Sequence, residues 1–256
     1  LRAQLKPVVV TKFTRASCLI EPAAGVGIEV SIDRGVIESG EATEPLSELE
    51  LEIKNGEPWR AYQLALRLLG KVPLLVENRS KAQRGIALRE GRARQPLKAG
   101  PSPVTDEMSA QDAFKALVQG CLAQFIANQH GMLENGDPEY LHQMRVALRR
   151  LLSVFGTFAP LFPWEALAPP IAETRWLVAA LGPARDWDVF GTETLPPVVA
   201  RYADHAGIAA VTRAAGRLRR LANRVARGAV TSARGQGFLL SVGGWLAAET
   251  WLGGMD

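Results

Sequence analysis

The stretch from Asp137 to Phe158 constrains the fold of this chain more than any other. Asp137 can cap the N-terminus of a helix, and Pro138 suits its first position, where a missing N–H costs nothing. At 100° per residue, large apolar side chains fall on one face of this helix and basic side chains on the other. The apolar set is Met144, Leu148, Leu151, Leu152, Phe155 and Phe158, and the basic set is His142, Arg145, Arg149 and Arg150.

Four basic side chains on one short helical face repel each other, so we expect an anionic group to lie against this face. The guanidinium group is a planar fork that bonds phosphate or carboxylate oxygens in pairs. A polyanion with repeating phosphates would match this face. A solvated basic face on an ordinary helical bundle is the alternative that composition leaves open.

Two motifs in this part of the chain resemble the first half of a CHAD domain. They are L-H-Q-M-R-V-A-L-R-R-L at residues 141–151 and R-W-L-V-A-A-L-G-P-A-R-D-W-D-V-F at residues 175–190. CHAD abbreviates a conserved-histidine α-helical domain that is associated with polyphosphate binding. The resemblance implies an all-α bundle in which His142, Arg145, Arg149, Arg150 and Arg185 contact polyphosphate. The chain departs from the family's pattern at Leu152, where another arginine is frequent, and at Gly235–Gln236, where an aromatic residue is usual.

A second row of arginines follows in the same half of the chain. Its members step by four and three residues, which keeps them within a narrow arc of a helix, and Leu218, Leu221 and Val225 are expected opposite them. No carboxylate occurs between Asp204 and Glu249, so local salt bridges cannot neutralise the row. We predict that it binds the same polyanion and faces a cavity shared with the first row. The row is Arg213, Arg217, Arg220, Arg224 and Arg227.

The first 90 residues are predicted to be mainly strands. Alternation of apolar and polar residues marks a strand around Ile28–Ile32, with a hairpin at Asp33–Gly35. A further strand places Glu48, Glu50 and Glu52 on one face, where they must be solvated, paired with cations or bound to metal. A helix is expected from Pro58 to Leu69, with Gly70 as the C′ residue.

Four segments here resemble the later strands of a CYTH domain: T-K-F-T-R at 11–15, I-E-V-S-I-D-R-G-V-I at 28–37, S-E-L-E-L-E-I-K-N-G at 47–56 and S-K-A-Q-R-G at 80–85. CYTH domains are antiparallel tunnel barrels that hydrolyse inorganic triphosphate or related compounds with divalent metal. The resemblance implies that Glu48, Glu50 and Glu52 hold Mg²⁺ or Mn²⁺, while Lys12, Arg15 and Lys81 grip phosphate oxygens. The resemblance assigns no catalytic residue.

The family's opening strand, which carries an E-x-E-x-K motif, has no counterpart ahead of the T-K-F-T-R segment at 11–15. We therefore expect a partial barrel with unpaired strand edges, and hydrolysis only in a complete parent protein. The predicted fold class is α+β: a CYTH-like part at 1–90, an extended and mobile basic linker at 91–105, and a CHAD-like helical part at 106–256 that is truncated at its C-terminus.

The net charge of +4 is too small to imply nucleic-acid binding by itself, but 13 of the 14 basic residues after position 105 are arginine. Cys18 and Cys121 are predicted to be reduced and buried, and His130 is expected to stabilise a helix C-terminus or face water. The D-x-D pair at Asp186 and Asp188 is expected to hold arginines rather than metal. With no apolar run of membrane-spanning length, a cytoplasmic location is expected.

Two main functions remain open at this stage. The chain could be a polyphosphate-binding module, or the complete protein could be a metal-dependent inorganic triphosphatase. Nucleic-acid binding is a third possibility, which the lack of aromatic residues between the arginines of the second row makes weaker. The sequence does not fix the oligomeric state.

Overall fold

The computed structural model describes residues 7–91, 95–134 and 136–249. Arg92 and Arg94 of the predicted linker lie outside these residues. A three-stranded antiparallel sheet comes first, and the elements after it are helices. This confirms the predicted α+β class, in which a partial antiparallel β module precedes a helical bundle.

The sheet is an up-and-down meander of three long strands. β1 is Val10–Ala23, β2 is Val26–Ser39 and β3 is Ala42–Asn55, in the order β1-β2-β3. The two turns place Gly25 at φ +74° and Gly40 at φ +60°, backbone conformations that favour glycine. Each turn of the meander therefore depends on a glycine.

The predicted hairpin at Asp33–Gly35 is wrong, because β2 runs straight through these residues. Gly35 is required there for a different reason. A Cβ at this position would overlap the carbonyl oxygen of Lys12 and the backbone of Phe13 on β1. Glycine permits a close approach of two strands rather than a turn.

Gly35→Ala is expected to lower the free energy of unfolding by about 1–3 kcal/mol, because the added methyl group meets rigid backbone. Chemical denaturation would measure the change. Gly228→Ala is the matched control, since a Cβ there meets nothing within 4 Å. Its position inside a helix should make the control neutral or slightly stabilising. Equal stability of the two variants would contradict this explanation of Gly35.

Strand register places charged residues of all three strands in one row. Arg15 lies opposite Asp33, and Asp33 lies opposite Glu48. Glu50 follows two residues later on the same face of β3, since alternate residues share a face. The sheet therefore has one charged face, while the other carries Ile28, Val30, Leu51 and Ile53.

Two helices accompany the sheet. α1 is Trp59–Leu69, as predicted, but Gly70 has φ −70° and is not a left-handed C′ residue. α2 is Lys81–Arg89 and replaces the strand expected at 80–85. Ser80 and Gln83 form a reciprocal capping box at its start, which explains why this segment is a helix.

The helical bundle begins where Ser109 caps the first long helix by accepting a hydrogen bond from the Asp112 N–H (3.1 Å). A short 3-10 turn at 159–161 and a π-helical segment at 190–194 interrupt the series. The helices are α3 (Ala110–Glu134), α4 (Pro138–Phe158), α5 (Trp164–Val189), α6 (Leu195–Arg201), α7 (Ile208–Thr231) and α8 (Ala233–Ala248).

α4 matches its prediction closely. The Asp137 carboxylate accepts a hydrogen bond from the Glu139 N–H (2.8 Å), and Pro138 begins the helix. The predicted apolar face lies in the core, with Leu152 and Phe158 only partly buried. The Phe114 ring of α3 packs beside Phe155 and Phe158, at centroid distances of 6.2 and 5.4 Å.

Proline inside a helix usually kinks or breaks it, yet α5 continues through Pro183, with Leu181 and Ala184 on either side both fully buried. On α7 the buried residues are Ala215, Ala226 and Val230. Leu218, Leu221 and Val225 are not its core face, since they are 44%, 55% and 56% exposed.

Side-chain amides of the bundle bind the backbone of the segment between α1 and α2. The Gln236 Oε1 accepts from the Val76 N–H (2.7 Å), and Gln129 donates to the Val76 carbonyl oxygen (2.5 Å). Gln236 also donates to Gln129 Oε1 (3.1 Å) and to the Val230 carbonyl (2.8 Å). Both glutamines are fully buried, so the sheet part and the bundle are joined by a satisfied polar network.

The predicted mobile linker is also anchored. Asn128 is fully buried on α3. It accepts from the Leu97 N–H and donates to the Leu97 carbonyl, both at 2.9 Å. At least this part of residues 91–105 is fixed to the bundle.

The two cysteines and His130 confirm some of the sequence-based predictions and contradict others. Cys121 is buried, as predicted, but Cys18 is exposed on the edge strand β1. His130 lies 3.4 Å from a Glu77 carboxylate oxygen, so it contacts the α1–α2 connection rather than open water. Among the described residues, no helix combines the length and the apolar character that crossing a membrane requires.

Candidate functional site

A cluster of cations lies where α4 faces α5. His142, Arg145 and Arg149 project from α4, and Arg185 projects from α5. Partial burial lowers the pKa of His142 below its ordinary value, and the charge of Arg185 adds to this effect, followed by those of Arg149 and Arg145. Glu139 acts in the opposite direction. The two helices thus collect positive charge around a histidine. We call these four basic residues the α4–α5 cluster.

Arg145 is held in place by its surroundings. Its Nη1 donates to the Val178 carbonyl oxygen of α5 (3.0 Å). Gly182 leaves room for this side chain, since a Cβ there would lie 3.3 Å from Arg145 Nη1. Burial lowers the pKa of Arg145, Asp186 opposes the shift, and the charges of Arg149 and Arg185 reinforce it.

Arg149 and Arg185 are the available cations of the cluster. Within the part of the chain that the structure describes, neither side chain donates a hydrogen bond or forms an ion pair. Arg149 is exposed and Arg185 is half-buried. Two unpaired guanidinium groups beside a histidine that favours its neutral form can bind phosphate or carboxylate oxygens without first breaking an internal salt bridge.

Arg150 is not part of this arrangement. Its Nη1 donates to Gln124 Oε1 of α3 (2.8 Å), and Gln124 is buried and also donates to Gln143 (3.0 Å). The sequence analysis put Arg150 and Arg149 on one broad face, but Arg150 lies 100° further around the helix and on the α3 side. Arg150 therefore supports the α3–α4 packing.

The arginine row of α7 forms a separate basic surface. Four of its five members have no side-chain hydrogen bond or ion pair within the described ranges, and no such contact joins them to the α4–α5 cluster. The shared cavity predicted for the two rows is not supported by any contact. Arg227 instead donates to the carbonyl oxygens of Met132 (3.2 Å) and Leu133 at the end of α3. The exposed members without such contacts are Arg213, Arg217, Arg220 and Arg224.

An arginine that sequence analysis missed anchors α7 to α5. Arg219 Nε donates to Asp188 Oδ1 (2.7 Å), and Asn223 donates to the same oxygen (3.2 Å). Asp188 is buried. This agrees with the expectation that the D-x-D segment holds arginines, and Asp188 does so for Arg219.

A second charged site lies on the sheet. Asp33, Glu48 and Glu50 each offer a carboxylate oxygen, and these oxygens lie within 4.8 Å of one another. Asp33 is fully buried. The sequence analysis missed Asp33 because it assigned the residue to a turn, although its alternation with Glu29 and Ser31 carried the correct signal.

Two cations lie among these carboxylates. Lys81 Nζ is 2.9 Å from Asp33 and 2.6 Å from Glu50, and it also contacts Glu48. Arg15 forms a two-pronged pair with Asp33 (2.7 and 2.6 Å) and contacts Glu50. The hydrogen bonds from Arg15 lower the pKa of Asp33 to about 2, with burial opposing and Lys81 reinforcing the shift.

Not every predicted member joins the sheet site. Glu52 pairs with Lys54 (2.8 Å), which also contacts Glu29 (3.1 Å). Lys12 pairs with Glu38 (2.7 Å) and is largely exposed. A cation that the sequence analysis did not select, Arg84, enters instead through α2, and it donates to Glu44 (2.9 Å), Glu48 (3.0 Å) and the Pro45 carbonyl (2.9 Å).

The helices from α3 onward thus define an all-α domain with a cation-bearing helix pair. The model of the CHAD domain family matches residues 116–254, more than half of the chain. The chain belongs to the CHAD domain family. The crystal structure of the CHAD domain from the plant Ricinus communis is similar, with a TM-score of 0.53 and 29% identity over 61% of this chain and 52% of that one.

A curated relative extends the comparison. The inorganic triphosphatase of Haemophilus influenzae (strain ATCC 51907 / DSM 11121 / KW20 / Rd) is 34% identical over 84 residues. The match covers 33% of this chain and 24% of that protein. The chain therefore spans about a quarter of the curated relative and about half of the solved CHAD chain.

Proposed function

We propose that this chain binds inorganic polyphosphate through the α4–α5 cluster. The proposal rests on the four basic side chains that α4 and α5 bring together in a member of the CHAD family. Two of these side chains, Arg149 and Arg185, have no internal partner among the described residues. Paired N–H groups of Arg149 and Arg185 can each bond two oxygens of a phosphate. Arg145, fixed by Val178, would supply a third positive charge.

A titration with inorganic polyphosphate over a series of NaCl concentrations tests the proposal. Binding that neutralises three or four phosphates releases counterions, so the logarithm of the affinity should fall with the logarithm of salt at a slope of roughly −2 to −4. Absence of binding at low salt would reject the proposal. A slope near zero would show that the arginines are not the contacts.

Polyphosphate affinity should also depend on pH through His142. The free protein holds the pKa of His142 below its ordinary value, and a bound polyanion would raise it. Binding then takes up a proton in the interval between the two values, so affinity should increase as the pH falls through that interval and level off below it. Calorimetry in two buffers of different ionisation enthalpy measures the uptake.

His142→Gln is the matched variant for this test. Glutamine keeps a hydrogen-bonding side chain but cannot titrate, so the buffer dependence should disappear while most of the binding at pH above the interval remains. Proton uptake that persists unchanged in His142→Gln would assign it to another group.

A second function, metal-dependent triphosphate hydrolysis, is favoured by the sheet site and the triphosphatase relative. Three clustered carboxylates are a donor set that suits Mg²⁺ or Mn²⁺. We infer that Asp33, Glu48 and Glu50 would hold the ion once the Lys81 ammonium moves away from them. A bound divalent ion would supply charge neutralisation for the phosphates and an activated water.

The chain's own contribution to that site is cationic. Lys81 and Arg15 form ion pairs with these carboxylates. When triphosphate binds, the same two cations would pair with its oxygens instead. Phosphate release from tripolyphosphate with Mg²⁺ or Mn²⁺, lost in Glu50→Ala, would support this function. Activity that is unaffected by Glu50→Ala would exclude the site, and Glu52→Ala is the control expected to leave activity unchanged.

A further inference from the structure

The surface of α7 that faces away from the core combines apolar and basic rows. This helix packs small side chains inward, with Ala215 and Ala226 buried, while Val211, Leu218 and Leu221 are 49%, 44% and 55% exposed. A surface helix normally buries its larger apolar residues. The reversed pattern over residues 211–226 shows that these large apolar side chains do not serve the core to which the helix belongs.

The exposed apolar residues follow a coiled-coil repeat. Positions 211, 214, 218, 221 and 225 are separated by three, four, three and four residues, the spacing of an a/d seam that packs against another helix. Four of these positions hold an exposed leucine or valine, and the fifth holds a half-buried alanine. The row extends over about four turns of α7. We call it the apolar stripe, and its members are Val211, Ala214, Leu218, Leu221 and Val225.

The arginine row lies along one side of the apolar stripe. In heptad terms, with Leu218 at a and Leu221 at d, Arg217 and Arg224 occupy the g positions that flank the seam. Arg213 and Arg220 lie just beyond them. None of the four has a side-chain partner in the part of the chain described. A helix seated on the stripe would bring its own flanking residues within reach of this row, where carboxylates would be favoured.

A second copy of α7 does not satisfy these requirements. α7 contains no Asp or Glu between Ile208 and Thr231. Two copies packed antiparallel through the stripe would place their arginine rows on the same side of the seam, which like-charge repulsion opposes. The complementary partner is a helix with acidic flanks.

We propose that α7 is a docking surface for an amphipathic helix with an apolar a/d seam for the apolar stripe and glutamate or aspartate at the flanking positions for the arginine row. Burial of the seam supplies affinity, and the arginine row selects acidic helices over basic ones. This surface is separate from the α4–α5 cluster and does not depend on the function proposed for it.

The test uses the full chain and two fluorescently labelled synthetic helical peptides of about four heptads. One carries leucine at a and d with glutamate at e and g, and the other replaces every glutamate with lysine. Anisotropy titrations should show binding of the acidic peptide at least about tenfold tighter than that of the basic peptide at low salt. Equal affinities, or no binding of either peptide, would overturn the proposal.

Two double variants locate the contact. Leu218→Ser with Leu221→Ser should abolish most of the binding of the acidic peptide, whereas Arg217→Gln with Arg224→Gln should remove its preference over the basic one. These four side chains are exposed, so the fold should be retained. Arg149→Gln with Arg185→Gln should leave peptide binding unchanged, and peptide binding lost in that variant would place the contact on the α4–α5 cluster and overturn the proposal.

Discussion

Replacing Arg149 and Arg185 together with glutamate is expected to lower the affinity for inorganic polyphosphate by at least about 100-fold at low salt. Each guanidinium would make charge-assisted hydrogen bonds that contribute about 1.5 kcal/mol or more, and about 1.4 kcal/mol corresponds to a tenfold change. Neither arginine has an internal partner among the described residues, so the substitutions break no salt bridge there. Titration calorimetry would measure the loss.

The matched control makes the same change in net charge elsewhere. Arg34→Glu with Arg175→Glu alters two exposed arginines on β2 and α5 that form no side-chain ion pair in the described chain. This control variant should bind polyphosphate about a few fold more weakly than the unchanged chain, because only the long-range electrostatic field is altered. That loss of affinity should shrink as salt is added. Equal losses in the two double variants would mean that net charge alone, and not the α4–α5 cluster, determines binding.

Gln236→Leu is expected to lower the free energy of unfolding by about 3–6 kcal/mol. The substitution removes the hydrogen bonds that Gln236 makes with the Val76 N–H, Gln129 Oε1 and the Val230 carbonyl in a buried site, and each group left unsatisfied costs about 1–3 kcal/mol. Denaturant unfolding would measure the loss. Because Val76 connects α1 to α2, the variant should also increase amide hydrogen exchange near Ser80 and Lys81.

Gln119→Leu is the control for that variant, because Gln119 is an exposed glutamine on α3. Its effect should stay within about 0.5 kcal/mol, the usual range for surface substitutions. If Gln236→Leu were as stable as this control, the amide network would not contribute to joining the sheet part to the bundle.

The bundle helix that carries most of the α4–α5 cluster was predictable because its signals are local. A cap at Asp137, a proline at the first position and apolar residues at helical spacing all lie within one segment. Spacing also separated His142 and Arg149 from the core. It could not show that Arg150 is bound by Gln124, since that depends on α3, a different part of the chain.

The sheet site was only partly predictable, because its geometry depends on pairing between strands that are distant in sequence. Glycine at position 35 is typical of a turn, but here it lets β1 approach β2 closely. Only the pairing of the strands reveals this role. With the turn misplaced, Asp33 was lost from the predicted site. Arg84 was missed because the segment 80–85 was assigned to a strand, although Ser80 and Gln83 have the spacing of a capping box.

The buried face of α7 could not be predicted from spacing alone. Leu218, Leu221 and Val225 are exposed, and the core face is formed largely by alanines that pack against neighbouring helices. Helical spacing identified two distinct rows correctly. It could not tell which surface the neighbouring helices cover, because α5 and α8 determine that.

We expect phosphate groups to bind between α4 and α5, and NMR of the arginine Nε–H and histidine ring signals tests this most directly. On titration with inorganic polyphosphate at low salt, the signals of His142, Arg145, Arg149 and Arg185 should shift together and saturate at the same ligand concentration. Unchanged signals from these four side chains, with shifts confined to Arg213–Arg224 or to the sheet, would contradict it.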